Sequence, residues 1–376
     1  MTIFVSRFTN MKSRMNREVH VRFCGNVRVK FPCVTRLVAI FNNYGEKMKN
    51  IFRSLIIVIA LLLTLDVYAG GGNRTGTGGA AQLLIPVGPR GIAMGEANLA
   101  VGHGIESIFW NPAGVAYMGN SSTSVMFSHM SYIADIGVEY GAVSTNFEGF
   151  GVLSLSLKSL SIGDILVTTT TDPDGLSGAK FAPQMLTAGL SYSRALTERI
   201  AVGLTANLIT ENLGEASATG FGFNVGVLYN TLADIEGLSI GIAMKNVGPQ
   251  MQYDGSGMLV LSSVEDQSRP PQYTKIEAAK FDLPSSFEMG IGYKAAFDEQ
   301  NYVQFAGAFL NNNFSEDEYK IGAEYGFNNQ FFARVGYQLS PELESDQYLY
   351  GLTAGAGVNV NLEGIMLRVD YAYRYT

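Results

Sequence analysis

A nucleophile stands beside a base once in the chain beyond residue 69, at Ser128-His129. The pair lies in a segment of alternating residues that reads as a strand, where neighbours point to opposite faces, so it cannot hydrogen-bond as a dyad. His129 therefore reads as a lumen or interface residue, and His103 is the only other histidine of this region. The acids Asp172 and Asp174 and the run Glu316-Asp317-Glu318 could hold Ca²⁺ weakly, but solvation is the simpler role for carboxylates in loops. Gly355 and Gly357 make a Gly-x-Gly without the helix that a phosphate loop needs. Cys24 and Cys33 both precede a stretch that reads as an export signal, so no disulfide and no cysteine-based metal site is expected beyond it. The residues offer no catalytic set, no metal site and no cofactor site. A non-enzymatic protein is expected.

The elements that would position these residues are those of an exported membrane protein. Of 376 residues only 16% are charged, against about 25% in soluble globular chains, while 43 are glycine. From Met48 the chain has a basic stretch with Lys49 and Arg53, an apolar core from Leu55 to Leu65, and the small-x-small site Val67-Tyr68-Ala69. The apolar core is too short for a spanning helix, which needs about 20 residues. Residues 48–69 are thus expected to be a signal peptide, and residues 1–47 an extension upstream of the true start. The first 69 residues hold eleven Lys/Arg and three Asp/Glu; of the 26 and 33 in the whole chain this leaves 15 and 30, a net charge of −15 for the remainder. Nucleic acid is excluded as a partner, since no basic patch is left to bind it.

After residue 119 the sequence becomes a series of ten-residue segments in which apolar residues alternate with Gly, Ser, Thr and Asn. Thirteen strands are expected, over 121–131, 136–146, 149–159, 184–194, 198–210, 219–230, 238–247, 285–297, 300–310, 317–326, 329–338, 349–360 and 363–375. The single charges Glu288, Lys294, Lys320, Glu324, Arg334 and Arg368 keep to the small-residue parity. An uninterrupted apolar face suits lipid, where a Lys or Arg at mid-depth costs about 2–4 kcal/mol, and a small-residue face suits a crowded interior. Only a closed sheet crosses a membrane without orphaned backbone groups. The fold class is therefore all-β, a transmembrane antiparallel β-barrel over 119–376 with lipid around it.

Short connections alternate with long ones, the longest being 160–183 and 248–284, which places the short turns in the periplasm and the long loops outside. Gly189-Leu-Ser-Tyr192, Gly226-Val-Leu-Tyr229, Gly290-Ile-Gly-Tyr293 and Gly322-Ala-Glu-Tyr325 recur on every second strand, each before a short turn. Tyr192, Tyr229, Tyr293 and Tyr325 would form a periplasmic aromatic girdle. Thirteen is an odd count where bacterial single-chain barrels have even ones. Either a strand is hidden in a loop, with Ile162 to Thr171 the best candidate, or a last strand is missing; the second reading is preferred.

Residues 70–118 do not alternate. They run through Leu84-Ile-Pro-Val-Gly-Pro-Arg-Gly-Ile-Ala-Met-Gly-Glu-Ala97 to the motif Phe109, Trp110, Asn111, Pro112, Ala113, Gly114, and have the size of a lumen plug. Arg90-Gly-Ile-Ala-Met-Gly95, Phe109-Trp-Asn-Pro-Ala-Gly114, Lys245-Asn-Val-Gly-Pro249 followed by Tyr253, Leu283-Pro-Ser-Ser-Phe-Glu-Met-Gly-Ile-Gly-Tyr293 and Arg368-Val-Asp-Tyr-Ala-Tyr373 resemble the PorV/PorQ family, Bacteroidetes-type relatives of the FadL fatty-acid transporter fold. The resemblance implies a FadL-like barrel of 14 strands in the bacterial outer membrane, the last one following Asp-Tyr-Ala-Tyr. It further implies an accessory of type IX protein secretion that engages machinery components or the C-terminal domains of cargo through external loops. The alternative is a FadL-like transporter of long-chain fatty acids or other hydrophobic small molecules, which would need an apolar path near Trp110 and an opening in the wall.

Overall fold

The computed structural model describes residues 78–118, 122–133, 136–262, 270–341, 351–363 and 365–375. The expected extension and signal peptide lie outside the described residues. Strand residues alternate between outward apolar and inward small or polar side chains, and they build one antiparallel sheet of thirteen strands. In sheet order these are β1 (Thr123–Ser131), β2 (Gly137–Phe147), β3 (Gly151–Ser161), β6 (Gln184–Ala195), β7 (Ile200–Asn212), β8 (Ser217–Asn230), β9 (Leu238–Val247), β12 (Ser286–Ala296), β13 (Tyr302–Asn312), β14 (Glu318–Phe327), β15 (Phe331–Leu339), β16 (Leu352–Leu362) and β17 (Ile365–Arg374). Each expected strand is present to within three residues at either end. The candidate hidden strand at 162–171 is not in this wall: it contains only β4 (Ile165–Leu166), which pairs with β5 (Lys180–Phe181) in a hairpin of its own. A second hairpin, β10 (Leu259–Ser262) with β11 (Gln272–Lys275), rises from the 248–284 loop. Neither hairpin has the length or alternation that marks the wall strands.

The short connections turn tightly. Asn328 and Asn329 adopt φ of 55° and 49° between β14 and β15, a left-handed geometry that asparagine tolerates through local hydrogen bonds. The wall's outward face is apolar and open: Phe127 is 74% exposed, Leu190 55% and Phe221 57%. A water-soluble monomer rarely shows more than a few hundred Å² of contiguous apolar surface, so this skin is built for hydrocarbon. Between β3, β6, β7 and β8 it carries a depression of about 280 Å³ lined by Leu155, Leu190, Leu208, Phe221 and Phe223 over Ala188 and Gly189.

Against the inward face of the sheet packs the segment called the plug, with α1 (Pro89–Ala93), α2 (Ser107–Trp110) and two 3₁₀ turns, Ala81–Leu83 and Pro112–Ala116. Met94, Leu99, Val101, Ala113 and Val115 are almost wholly buried. The inward glycines are what lets this segment fit. A Cβ on Gly336 would come within 1.9 Å of Gly95 N, and one on Gly203 within 2.3 Å of the Pro112 carbonyl carbon. Plug backbone therefore lies directly on wall backbone, which is why the inner parity is small. Inward hydroxyls pair across strands, Ser144 with Ser154 and Ser191 with Thr205, both at 2.7 Å.

Candidate functional site

The plug motif is a clamp. Asn111 caps the 3₁₀ turn by accepting from Ala113 N at 3.1 Å, while its amide donates to Leu99 O within the plug and to Val227 O on β8, each at 3.1 Å. Pro112 starts the turn, where its missing N–H costs nothing, and its carbonyl accepts from Ser193 Oγ on β6 at 2.6 Å. Trp110 packs on Gly91, where a Cβ would lie 2.4 Å from the indole, and Phe109 meets it edge-to-face with centroids 5.0 Å apart. Phe109, Trp110, Asn111, Pro112, Ala113 and Gly114 thus hold the plug together and fasten it to β6 and β8.

Charged groups fasten the other side. Arg90 on α1 gives a two-pronged bond to Glu324 on β14, Nε to Oε2 at 2.9 Å and Nη2 to Oε1 at 3.0 Å, and also donates to Gln304 at 3.1 Å. Glu324 accepts from Tyr302 OH at 2.8 Å and from Arg334 Nε at 2.5 Å, and Arg334 continues to Asp370 at 2.7 Å. One plug turn later Glu96 pairs with Lys320 at 2.8 Å and with Arg374. Burial works against the Glu96 charge, but Lys320 and Arg374 outweigh it and hold its carboxyl down at about 2. Glu106 accepts from Gly91 N at 2.9 Å, and burial pushes its carboxyl up despite the pull of Arg90. Of the six charges assigned to the inner parity, Glu288, Lys320, Glu324 and Arg334 are buried, Arg368 joins Asp370 at 2.8 Å, and Lys294 lies over the Tyr302 ring. Their plug partners Arg90 and Glu96 escaped the sequence reading, because more than 220 residues separate the members of each pair.

The Lys245-Asn-Val-Gly-Pro249 and Leu283-Pro284 motifs meet at a β-bulge. Phe223 pairs with Val247 but Val225 with Met244, so Lys245 and Asn246 together oppose Asn224. Asn246 takes φ 56°, and the extra residue turns both side chains inward. Asn246 N donates to Asn224 Oδ1 at 2.8 Å and its amide to Pro284 O at 3.0 Å, tying the two motifs together. Lys245 pairs with Glu288 at 2.8 Å beneath Phe109 and Trp110. Beside it is a lumen cavity of about 50 Å³, lined by Leu83, Phe109, Tyr140, Thr187, Lys158 and Lys245 among others.

The remaining sequence candidates fall elsewhere. Ser128 and His129 do point to opposite faces; His129 faces outward at the 132–136 rim and meets Glu139 of β2 at 2.6 Å. Tyr192, Tyr229, Tyr293 and Tyr325 all take the outward parity near short connections, and Tyr192 OH donates to Phe150 O at 2.7 Å. The acids read as solvated are corrected in part. Asp317 is buried and accepts from Asn311 at 2.8 Å, and Glu318 reaches Lys320 at 3.2 Å, because this end of the run leads directly into β14, which starts at Glu318. Asp172 spends its oxygens on Leu176 N and Ser177 N, both at 2.8 Å.

The family model described as type IX secretion system protein PorV matches residues 69–262. The chain belongs to the PorV family. Similar solved structures are the Pseudomonas putida toluene transporter TodX (12% identity, 76% of this chain and 92% of that one, TM-score 0.45), the Ralstonia pickettii toluene transporter TbuX (14%, 77% and 99%, 0.45) and a Pseudomonas aeruginosa FadL homologue (12%, 77% and 90%, 0.44). No curated protein sequence matches. With its apolar skin and ionic interior, this PorV-family chain is a β-barrel protein of the bacterial outer membrane.

Proposed function

We propose that this protein is a non-enzymatic accessory of type IX secretion that engages cargo C-terminal domains or machinery components through its external loops. The observation that carries the reading is the 248–284 loop. Its hairpin presents Leu259, Val260, Leu261, Tyr273 and Ile276, each at least 45% exposed, beyond the wall. The hairpin is anchored below by the Met251–Phe281 and Ser217–Asp254 bridges, so the apolar tip is held out from a fixed base. The 160–183 loop adds Ile165, Leu166 and Leu176 in the same manner. Among the described residues β10 and β11 pair only with each other, and a partner's extended segment can join such an edge by strand addition.

The domain plan that fits this role has residues 48–69 as the signal, 70–118 as the plug and 119–376 as the barrel, with Tyr192, Tyr229, Tyr293 and Tyr325 at the periplasmic interface. The hydrophobic-transporter alternative is less well served. Small-molecule pockets run to about 300–1,000 Å³ and are mainly apolar, whereas the lumen cavity beside Phe109 is about 50 Å³ and bordered by two lysines. The test replaces residues 256–276 by a short Gly-Ser linker and recovers the barrel from detergent-solubilised membranes. Secretion components and cargo should co-purify with the parent and be lost with the variant. Unchanged recovery of partners, or saturable fatty-acid binding with no protein partner, would overturn the proposal.

A further inference from the structure

We propose that the lumen cavity between Lys158 and Lys245 binds a small monovalent inorganic anion of halide size. Lys158 of β3 and Lys245 of β9 both lie over the Phe109 ring, their ammonium groups 5.0 and 5.1 Å from its centroid. Lys245 has its carboxylate, Glu288. Lys158 has none among the described residues: its ammonium donates to the plug carbonyls of Gln82, at 2.6 Å, and Ile85. When both are protonated, two ammonium groups face the one carboxylate that, among the described residues, pairs with either of them, in a region where both lysines are at least 93% buried. A buried unpaired ammonium tends to give up its proton, and an anion in the adjoining cavity would keep Lys158 charged instead.

The cavity is furnished for such a guest. Thr187 Oγ1 is buried, lines it and has no hydrogen-bond partner among the described residues. Thr205, Asn207, Asn224 and Asn246 complete a rim of hydroxyls and amides. The bulge in β9 brings Asn246 to the same side as Lys245. The volume of about 50 Å³ has room for a small anion and is far below the roughly 300 Å³ at which pockets for organic ligands begin. Because Lys158 grips the 81–85 turn and Lys245 underlies Phe109 and Trp110, the anion joins two wall strands to both ends of the plug.

The test uses the full chain in detergent. Crystals grown in bromide should show an anomalous peak in the cavity beside Lys158 Nζ. At constant ionic strength, exchanging bulky gluconate for chloride should raise the unfolding midpoint saturably, because a ligand of the folded state stabilises it. Lys158→Met, which keeps the apolar stem, should lower the apparent halide affinity at least tenfold. Thr187→Val, which leaves the lysine bonds to the plug intact, should weaken it several-fold. Solvent density without an anomalous peak, or a halide response unchanged in both variants, would overturn the proposal.

Discussion

Replacing Glu324 by alanine should strip the plug of its strongest hold on the wall. The carboxylate has no exposed surface and sits between Arg90 and Arg334, with Tyr302 donating to it as well. Its removal leaves Arg334 with Asp370, but leaves Arg90 with only Gln304 as a direct side-chain acceptor. Removing one partner of a buried ion pair costs about 3–5 kcal/mol; here Arg90 loses the only carboxylate it pairs with among the described residues and Arg334 one of its two, so a cost of about 5 kcal/mol is expected. Arg90→Leu is gentler, because Glu324 keeps Arg334 and only the charge-assisted bonds from the plug are lost, for about 2–3 kcal/mol. The gap of about 2 kcal/mol is roughly a 30-fold difference in the folded-to-unfolded ratio. Trp110, the only tryptophan, lies in the plug and reports on it directly. Urea unfolding of the barrel in lipid vesicles, followed by its fluorescence, gives both costs from one signal. The reasoning fails if Glu324→Ala costs less than about 0.5 kcal/mol, the range of surface substitutions, or no more than Arg90→Leu.

Glu96 ionises more readily in the folded protein than its ordinary value of 4.5, at about 2, so its contribution is complete above pH 4.5 and is lost as pH falls towards 2. The shift corresponds to about 3 kcal/mol; protease cleavage within 78–118 should increase over that window, and Glu96→Gln should remove this component of the pH dependence. Gly336→Val should displace the plug at Met94-Gly95 while leaving a sheet that still shows a heat-dependent shift in gel mobility; a plug as protease-resistant as the parent's would contradict the close approach. Leu190→Arg on the outward face should cost about 2–4 kcal/mol in vesicles if it lies near mid-bilayer, whereas Glu299→Arg in the exposed 297–301 turn should cost less than about 0.5 kcal/mol; equal unfolding midpoints would remove lipid from the account.

The wall was readable because a strand's period of two commits each residue to a side. Leu204, Leu208, Phe221 and Val225 could face only lipid once Gly203, Asn207, Gly222 and Asn224 were seen to be small or polar. What stayed hidden needs the third dimension. Nothing local in Arg90 points to Glu324, and the motif Lys245-Asn-Val-Gly-Pro249 reads as a pattern without a reason until the bulge shows two successive side chains turned inward. The hairpins at 165–181 and 259–275 were missed because two- and four-residue strands carry too few alternations to stand out from a loop. Asp317 was placed in water because a run of three acids reads as solvated, yet it stands just before β14 and is buried.

The glycines under Gly95 and Pro112 have a bearing on assembly. Wall and plug touch backbone to backbone there, leaving no clearance through which a finished filling could slide into a finished cylinder. A plug held this closely has to be in place by the time the strands beside Gly336 and Gly203 are fully paired.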